Sequence, residues 1–239
     1  MEHGQAARRR AGRPSAGQDT LSRARILEAA LRLVDKHGLE ALSMRRLATE
    51  LGVNPMSLYH YLPGKAAVLS GLIDMVYSEL QLPSSPGLSW QTRVRDWALA
   101  YLELARSHPH LVLQIVSDAA STSDAMLKIS EPLYQALDQA GLSARSIAAA
   151  ADAVVDWVHG SALALSAPAD HDQRAMEREL LARIEAQPPG SSPTMCRVFR
   201  SLVEGAGSGG AGGAEDGLSV VLKGIEAIAA EERSANTRE

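Results

Sequence analysis

The sequence has one cysteine, Cys196, among 239 residues. That excludes an internal disulfide and a Cys-rich metal cluster, and it suits a reducing compartment. Long apolar runs are missing too: nothing approaches the roughly 20 consecutive apolar residues of a membrane span. The basic triplet Arg8–Arg10 is followed by no apolar stretch of the signal-peptide kind. The expected setting is therefore cytoplasmic, with no membrane partner. Lysine is scarce, 4 against 20 arginines, which reads as coding bias of a GC-rich genome and carries no functional weight. No alternating apolar and polar stretch marks a strand. No Gly-rich phosphate loop, nucleophile elbow or His-Glu metal motif is present. An all-α protein is expected, with neither enzymatic activity nor a cofactor.

Charge is present but segregated. The net charge of −4 would argue against a nucleic-acid partner if it were spread evenly. Residues 1–65, however, carry 11 Lys+Arg against 6 Asp+Glu, and the remainder carries 13 against 22. A basic head on an acidic body presents one end to phosphate and keeps the other away from it. With 46% hydrophobic residues the chain can bury a substantial core, in one large or two modest domains.

The head contains two short helices joined by a tight turn, over residues 43–65. Met44, Leu47, Ala48 and Leu51 can share one buried face, and Gly52 sits where a helix ends in the left-handed region. Asn54 caps a second helix, and Pro55 opens it at a position whose N–H would be unpaired anyway. Leu58 and Leu62 are predicted to point inward, with Ser57, Tyr59 and Tyr61 outward. A short helix exposing small polar and aromatic side chains suits the major groove. Ahead of it, Leu21, Ile26, Ala29, Ala30, Leu33 and Val34 form the stripe of an amphipathic helix that ends at Gly38. After it a helix is predicted over about 64–80, and the Pro/Ser/Gly-rich stretch 83–87 marks a boundary.

Beyond that boundary all periodicity is helical. Trp90, Val94, Trp97, Ala98, Tyr101, Leu102 and Ala105 form one face, ended by Ser107, His108 and Pro109. Further helices are predicted over 110–119, over 124–140 with a kink or restart at Pro132, and over 144–167, 172–186, 193–202 and 216–231. The Ala-rich 144–167 segment is apolar on most faces and requires burial on two sides. The Gly tract 205–213 reads as flexible, as does the polar, basic 1–20 arm. Arg10 and Arg13 on that Gly/Pro-stiffened arm are candidates to enter a minor groove; the alternative is a solvated tail.

These features together resemble the TetR family of bacterial repressors. The resemblance rests on the amphipathic 26–38 helix, the helix-turn-helix, the Leu58-Tyr59-x-Tyr61 recognition helix, and Gly64-Lys65 opening a long fourth helix. It implies a three-helix DNA-binding domain over 21–66, a connecting helix over 67–82 and a larger helical effector-binding and dimerisation domain over 83–239, with a flexible Gly-rich loop at 205–214. The pattern Gly217-Leu-x-x-Val-Leu-x-Gly-Ile-Glu226 resembles the last helix of the tetracycline-repressor type of body. In that family this helix and the long Ala-rich one pair with their copies, which implies a homodimer; two overly apolar helices in need of a partner lead to the same expectation. By resemblance, Arg45 reaches a base or phosphate. Pro55, Met56, Ser57, Tyr59 and Tyr61 form the contacting face, and Lys65 meets a phosphate. Pro55 and Met56 offer no hydrogen bond, so they would act on thymine methyls. Tyr59 has the alternative of a packing residue and Arg46 that of a solvated face. The implied operator is a double-stranded inverted repeat.

A repressor of this kind is released by a small amphipathic ligand. Candidate contacts are Trp97, Tyr101, His108, His110, Gln114, Met126, Trp157, His159 and Phe199, each with core packing as its alternative. Tetracycline repressors hold a drug-bound magnesium through a histidine, but the matching place falls near Gln114 and Ile115 and the acidic partner expected around Ala164 is missing, so that ligand is not expected. Two rivals remain: release by a protein or peptide partner, and a metal site or enzyme built from Asp152, Asp156 and His159, which share one helical face.

Overall fold

In the computed structural model, residues 20–82, 87–111, 124–165, 173–188, 190–205 and 214–236 are described. All regular structure among them is helical. Each start in the head is fixed by its local chemistry. Helix α1 (Arg23–His37) begins where the Ser22 hydroxyl accepts from the Arg25 N–H, and it ends at Gly38, φ 77°. After a 3-10 turn (Leu39–Ala41), α2 (Met44–Leu51) is capped by the Ser43 hydroxyl and closed by Gly52 at φ 65°, ψ 31°. Only a residue without a Cβ adopts that left-handed geometry at little cost.

Helix α3 (Pro55–Tyr59) starts as expected, with Asn54 Oδ1 accepting from the Met56 N–H at 2.9 Å, but it is shorter than expected. Tyr61 lies in the turn that follows, and the N–H groups of both Tyr61 and Leu62 bond to the Leu58 carbonyl. The cause is Pro63, whose ring disfavours helical geometry at the residue before it. Helix α4 (Lys65–Ser78) crosses α1 closely. A Cβ on Gly71 would lie 2.7 Å from Leu27 Cδ2, so a larger residue there would have to displace the Leu27 side chain.

The body comprises α5 (Trp90–Ser107), α6 (Asp124–Gln139), α7 (Ala144–Leu165), α8 (Gln173–Glu185), α9 (Pro193–Glu204) and α10 (Ala214–Asn236). Helices α5, α6 and α7 pack on one another, α10 lies on α7, α8 pairs with α9, and α4 reaches from the head onto α6. The buried side chains of head and body form one continuous core, from Ile26 and Leu58 through Val76 and Trp97 to Val154 and Leu222. Of the expected kink or restart at Pro132, the restart does not occur: the helix continues through the proline. Proline withholds a donor and crowds the preceding turn. Next to the Lys128 carbonyl that loses its helical donor to Pro132, the Ile129 carbonyl accepts from the Trp97 Nε1–H at 2.6 Å.

Helix α10 also clamps the turn between α6 and α7. Glu232 accepts from the Ser143 N–H at 2.6 Å and from the Ser143 and Ser146 hydroxyls, which caps α7 from outside. These three donors hold the Glu232 carboxyl below its ordinary pKa, the Ser146 hydroxyl most of all. Beside it, Arg233 donates to the Ala140 carbonyl at 2.6 Å. The segment expected over 110–119 and most of the Gly tract lie outside the described residues.

Candidate nucleic-acid interface and the interior of the body

The five residues of α3 cannot hold a helix on their own; packing sets its orientation. Leu58 is fully buried and Leu62 nearly so, which turns the rest of the turn outward. Met56 is 66% exposed, Tyr59 44% and Tyr61 43%. Pro55 is exposed and Ser57 half-buried. Tyr59 is therefore placed as a surface residue, not as a packing residue. Arg45 and Arg46 are both exposed on α2, and the Thr49 hydroxyl donates to the Arg45 carbonyl, tying the two turns of that helix together. Lys65 is exposed at the start of α4, where its Nζ donates to the Leu39 carbonyl at 3.3 Å. That bond holds the ammonium beside a helix N-terminus, a place that favours phosphate. His60 is exposed between the two tyrosines. Its sequence signal was only its place between two outward residues, and it was not singled out. Arg10 and Arg13 lie outside the described residues.

Inside the body the structure joins three of the expected ligand contacts with one that was not foreseen. Tyr77 of α4, Tyr101 of α5 and His159 of α7 form a chain: Tyr77 Oη to Tyr101 Oη at 3.3 Å, then Tyr101 Oη to His159 Nε2 at 2.9 Å. Trp97 packs edge-on against the Tyr101 ring, centroids 5.3 Å apart. Burial pushes both phenols above their ordinary pKa, so both carry their protons and can donate. Burial also lowers the His159 pKa below 6.5, partly offset by the Asp156 carboxylate. A neutral ring with Nε2 free accepts the Tyr101 proton, and the chain then runs from Tyr77 to Tyr101 to His159.

A neutral, partly buried histidine makes stability depend on pH. The unfolded chain protonates near 6.5 while the folded chain resists, so the stabilisation is complete above that value. It is lost as pH falls towards the lower folded pKa. The unfolding midpoint of the wild type is expected to drop more steeply between about pH 7 and pH 5.5 than that of His159→Gln. Thermal unfolding by circular dichroism across that range reads the difference, and equal slopes would remove His159 from this role.

The remaining candidates lie elsewhere. His108 closes α5 at the joint between head and body, its Nδ1 3.1 Å from Asp35 Oδ1 on α1 and its Nε2 3.8 Å from Glu79 Oε2 at the end of α4. His110 is exposed, its ring beside Gly38. Trp157 turns towards α10, where a Cβ on Gly217 would meet its Nε1 at 2.8 Å. Met126 is 37% exposed on α6, Phe199 is half-buried on α9, and Gln114 lies outside the described residues. Asp152 and Asp156 are exposed while His159 turns inward to Tyr101. The three do not gather, and among the described residues no group of three or more His, Cys, Asp or Glu side chains is placed to hold a metal ion. Nor is any helix among the described residues long and apolar enough to cross a membrane.

A capped helix-turn-helix, packed ahead of an all-helical body through one connecting helix, defines a helix-turn-helix transcriptional regulator. Residues 26–72 match the model of the bacterial regulatory proteins of the tetR family, and residues 82–229 match the tetracyclin repressor-like C-terminal domain. The chain belongs to the TetR family. Among its relatives is the HTH-type transcriptional repressor DrrR1 of Streptomyces coeruleorubidus, 43% identical over 42% of this chain and 38% of DrrR1. Another is an HTH-type transcriptional regulator of Saccharopolyspora erythraea, 33% identical over 70% of each chain. The match to DrrR1 spans little over a third of that protein's length. Among solved structures, apo ActR of Streptomyces coelicolor superposes with a TM-score of 0.73 at 26% identity, over 89% of this chain and 98% of ActR; ActR has also been solved with actinorhodin.

Proposed function

We propose that this regulator is a homodimeric repressor whose two heads sit on an inverted-repeat operator and which a small amphipathic molecule releases. The observation that carries the DNA half of this reading is the outward turn of Met56, Tyr59 and Tyr61, flanked by exposed Arg45 and Lys65. Arg45 forks onto a base edge, the tyrosine hydroxyls and Lys65 meet phosphate, and Met56 offers an apolar contact to a thymine methyl. Residues 21–66 serve as the reading head and α4 as the connector. Arg10 and Arg13 are assigned to the adjacent minor groove.

Support for the dimer comes from the outer face of α7 and α10. Ala149, Ala153, Gly160 and Leu163 on α7, and Val220, Gly224, Ala227 and Ile228 on α10, are exposed at helical spacing. Apart from its own helix, nothing among the described residues approaches within 4 Å of a Cβ built on Gly160 or Gly224. Small residues let a second copy's helices come close, and Val220 and Ile228 offer apolar area for burial. Asp152 and Asp156 border this face and can pair across it. The ligand half is supported by the aromatic interior around Trp97, Tyr101 and His159 and by the relative ActR, solved with actinorhodin. The ActR complex favours a small molecule over a protein or peptide partner as the releasing signal.

The test is operator binding by anisotropy as a function of salt. Lys65→Ala is expected to weaken binding to all sequences alike and to reduce the slope of log K against log salt by about one. Arg45→Ala is expected to change base preference at its position, a discrimination of about 1–3 kcal/mol. An unchanged salt slope for the first variant, or unchanged preference for the second, would remove that residue from its assigned role.

A further inference from the structure

A cleft of about 480 Å³ opens between the C-terminal half of α4, the segment after it and the first turns of α6. Its walls are largely apolar, formed by Tyr77, Leu80, Leu82, Ala125 and Ile129, and Asp74 stands among them. The Tyr77 hydroxyl is bonded to Tyr101 and the Ile129 carbonyl to Trp97, so each already has a partner within the protein. Asp74 differs. Its Oδ1 is buried and has no hydrogen-bond partner among the described residues, and a buried acceptor left unsatisfied is costly, more so if charged. Lys128 also lines the cleft, yet no contact to it satisfies that oxygen. Asp124 adds a second acidic side chain at the same opening. The lining is thus apolar with an excess of negative charge, and among the described residues Asp74 carries its unpartnered buried acceptor.

We infer that this cleft binds an amphipathic cation: an aromatic or aliphatic body against Tyr77, Leu80, Leu82 and Ile129, and a protonated amine paired with the Asp74 carboxylate. This rests on the ligand-released reading above and gives the ligand a chemical class. The volume suits one drug-sized molecule. A carboxylate in a part-buried apolar site selects against anions by repulsion and against neutral analogues by leaving the oxygen unpaired. The location also supplies a lever. Asp74 is on the same helix as Lys65, about 14 Å along it at 1.5 Å per residue, so a molecule wedged between α4 and α6 acts on the helix that carries the proposed phosphate contact.

The test uses three fluorescent probes with one body: an anthracene carrying a methylaminomethyl group, the matching alcohol and the matching carboxylate, each titrated into the full chain without DNA. The amine is expected to bind about tenfold or more tighter than the alcohol, and the carboxylate weakest. Asp74→Asn is expected to bring the amine to the affinity of the alcohol and leave the alcohol unchanged. Asp124→Asn, which keeps the buried oxygen, retains the preference. Ile129→Trp, which fills the cleft, is expected to weaken all three probes. Equal binding of amine and alcohol by the wild type, an amine preference that survives Asp74→Asn, or no binding of any probe would overturn the inference. Operator release by the amine is measured separately. Failure to bind operator at all would count against the repressor reading alone, whereas probe binding without release would leave the cleft and remove the lever.

Discussion

In Leu58→Ala protein, operator affinity is expected to fall by about 30-fold or more while the body stays folded. Leu58 has no exposed surface and is the inward anchor of a helix only five residues long. Such a helix draws almost nothing from its own hydrogen bonds, so Leu58, with Leu62 and the buried face of α2, determines where Met56 and Tyr59 point. Removing the side chain costs about 2–5 kcal/mol in transfer and cavity terms, and that cost falls on the conformation able to read DNA. Anisotropy on the operator measures the loss. The helices from α5 onward, packed on their own section of the core, are expected to keep their circular dichroism signal. Wild-type affinity in this variant would mean that α3 does not read DNA.

The second large effect is expected at the outer face of α7 and α10. Val220 is 71% exposed and Ile228 45%, two turns apart on one side of α10. Placing aspartate at both positions puts charges where two copies would bury apolar area, and the charges of the two copies would face each other without compensation. The double variant is expected to sediment as a monomer. Its affinity for an inverted repeat is expected to fall by about two orders of magnitude or more, because two tethered heads bind with an effective concentration that a single head lacks. Affinity for an isolated half-site is expected to stay near the wild-type value. A variant that remains dimeric would place the seam elsewhere.

Both arguments start from residues that could be picked out along the chain, but to different degrees. Ser22, Ser43, Asn54 and Pro55 act within three residues of where they stand, and Gly52 closes its helix through its own backbone. Helix boundaries in the head were legible for that reason. Leu58 and Leu62 were legible as inward by spacing, and Tyr59 and Tyr61 as outward. The shortness of α3 was missed although its cause, Pro63, was in view. The bond from Trp97 to the Ile129 carbonyl was not legible, because the two residues stand 32 apart in the chain.

By itself, then, the sequence determined an all-helical chain, a basic helix-turn-helix head, the Asn54 cap that starts its second helix and the family it belongs to, since all of these depend on interactions within a turn or two and on the running balance of charge and apolar residues. Only the tertiary structure decided which side chains meet. Tyr101 and His159 are 58 residues apart, and Ser143 and Glu232 are 89 apart. Asp74 reads along the chain as one more polar residue of a helix, and its buried, unpartnered oxygen appears only once α4 packs near α6. The physical reason is that burial and desolvation belong to the space between helices, and no spacing rule within one helix specifies what another brings to it.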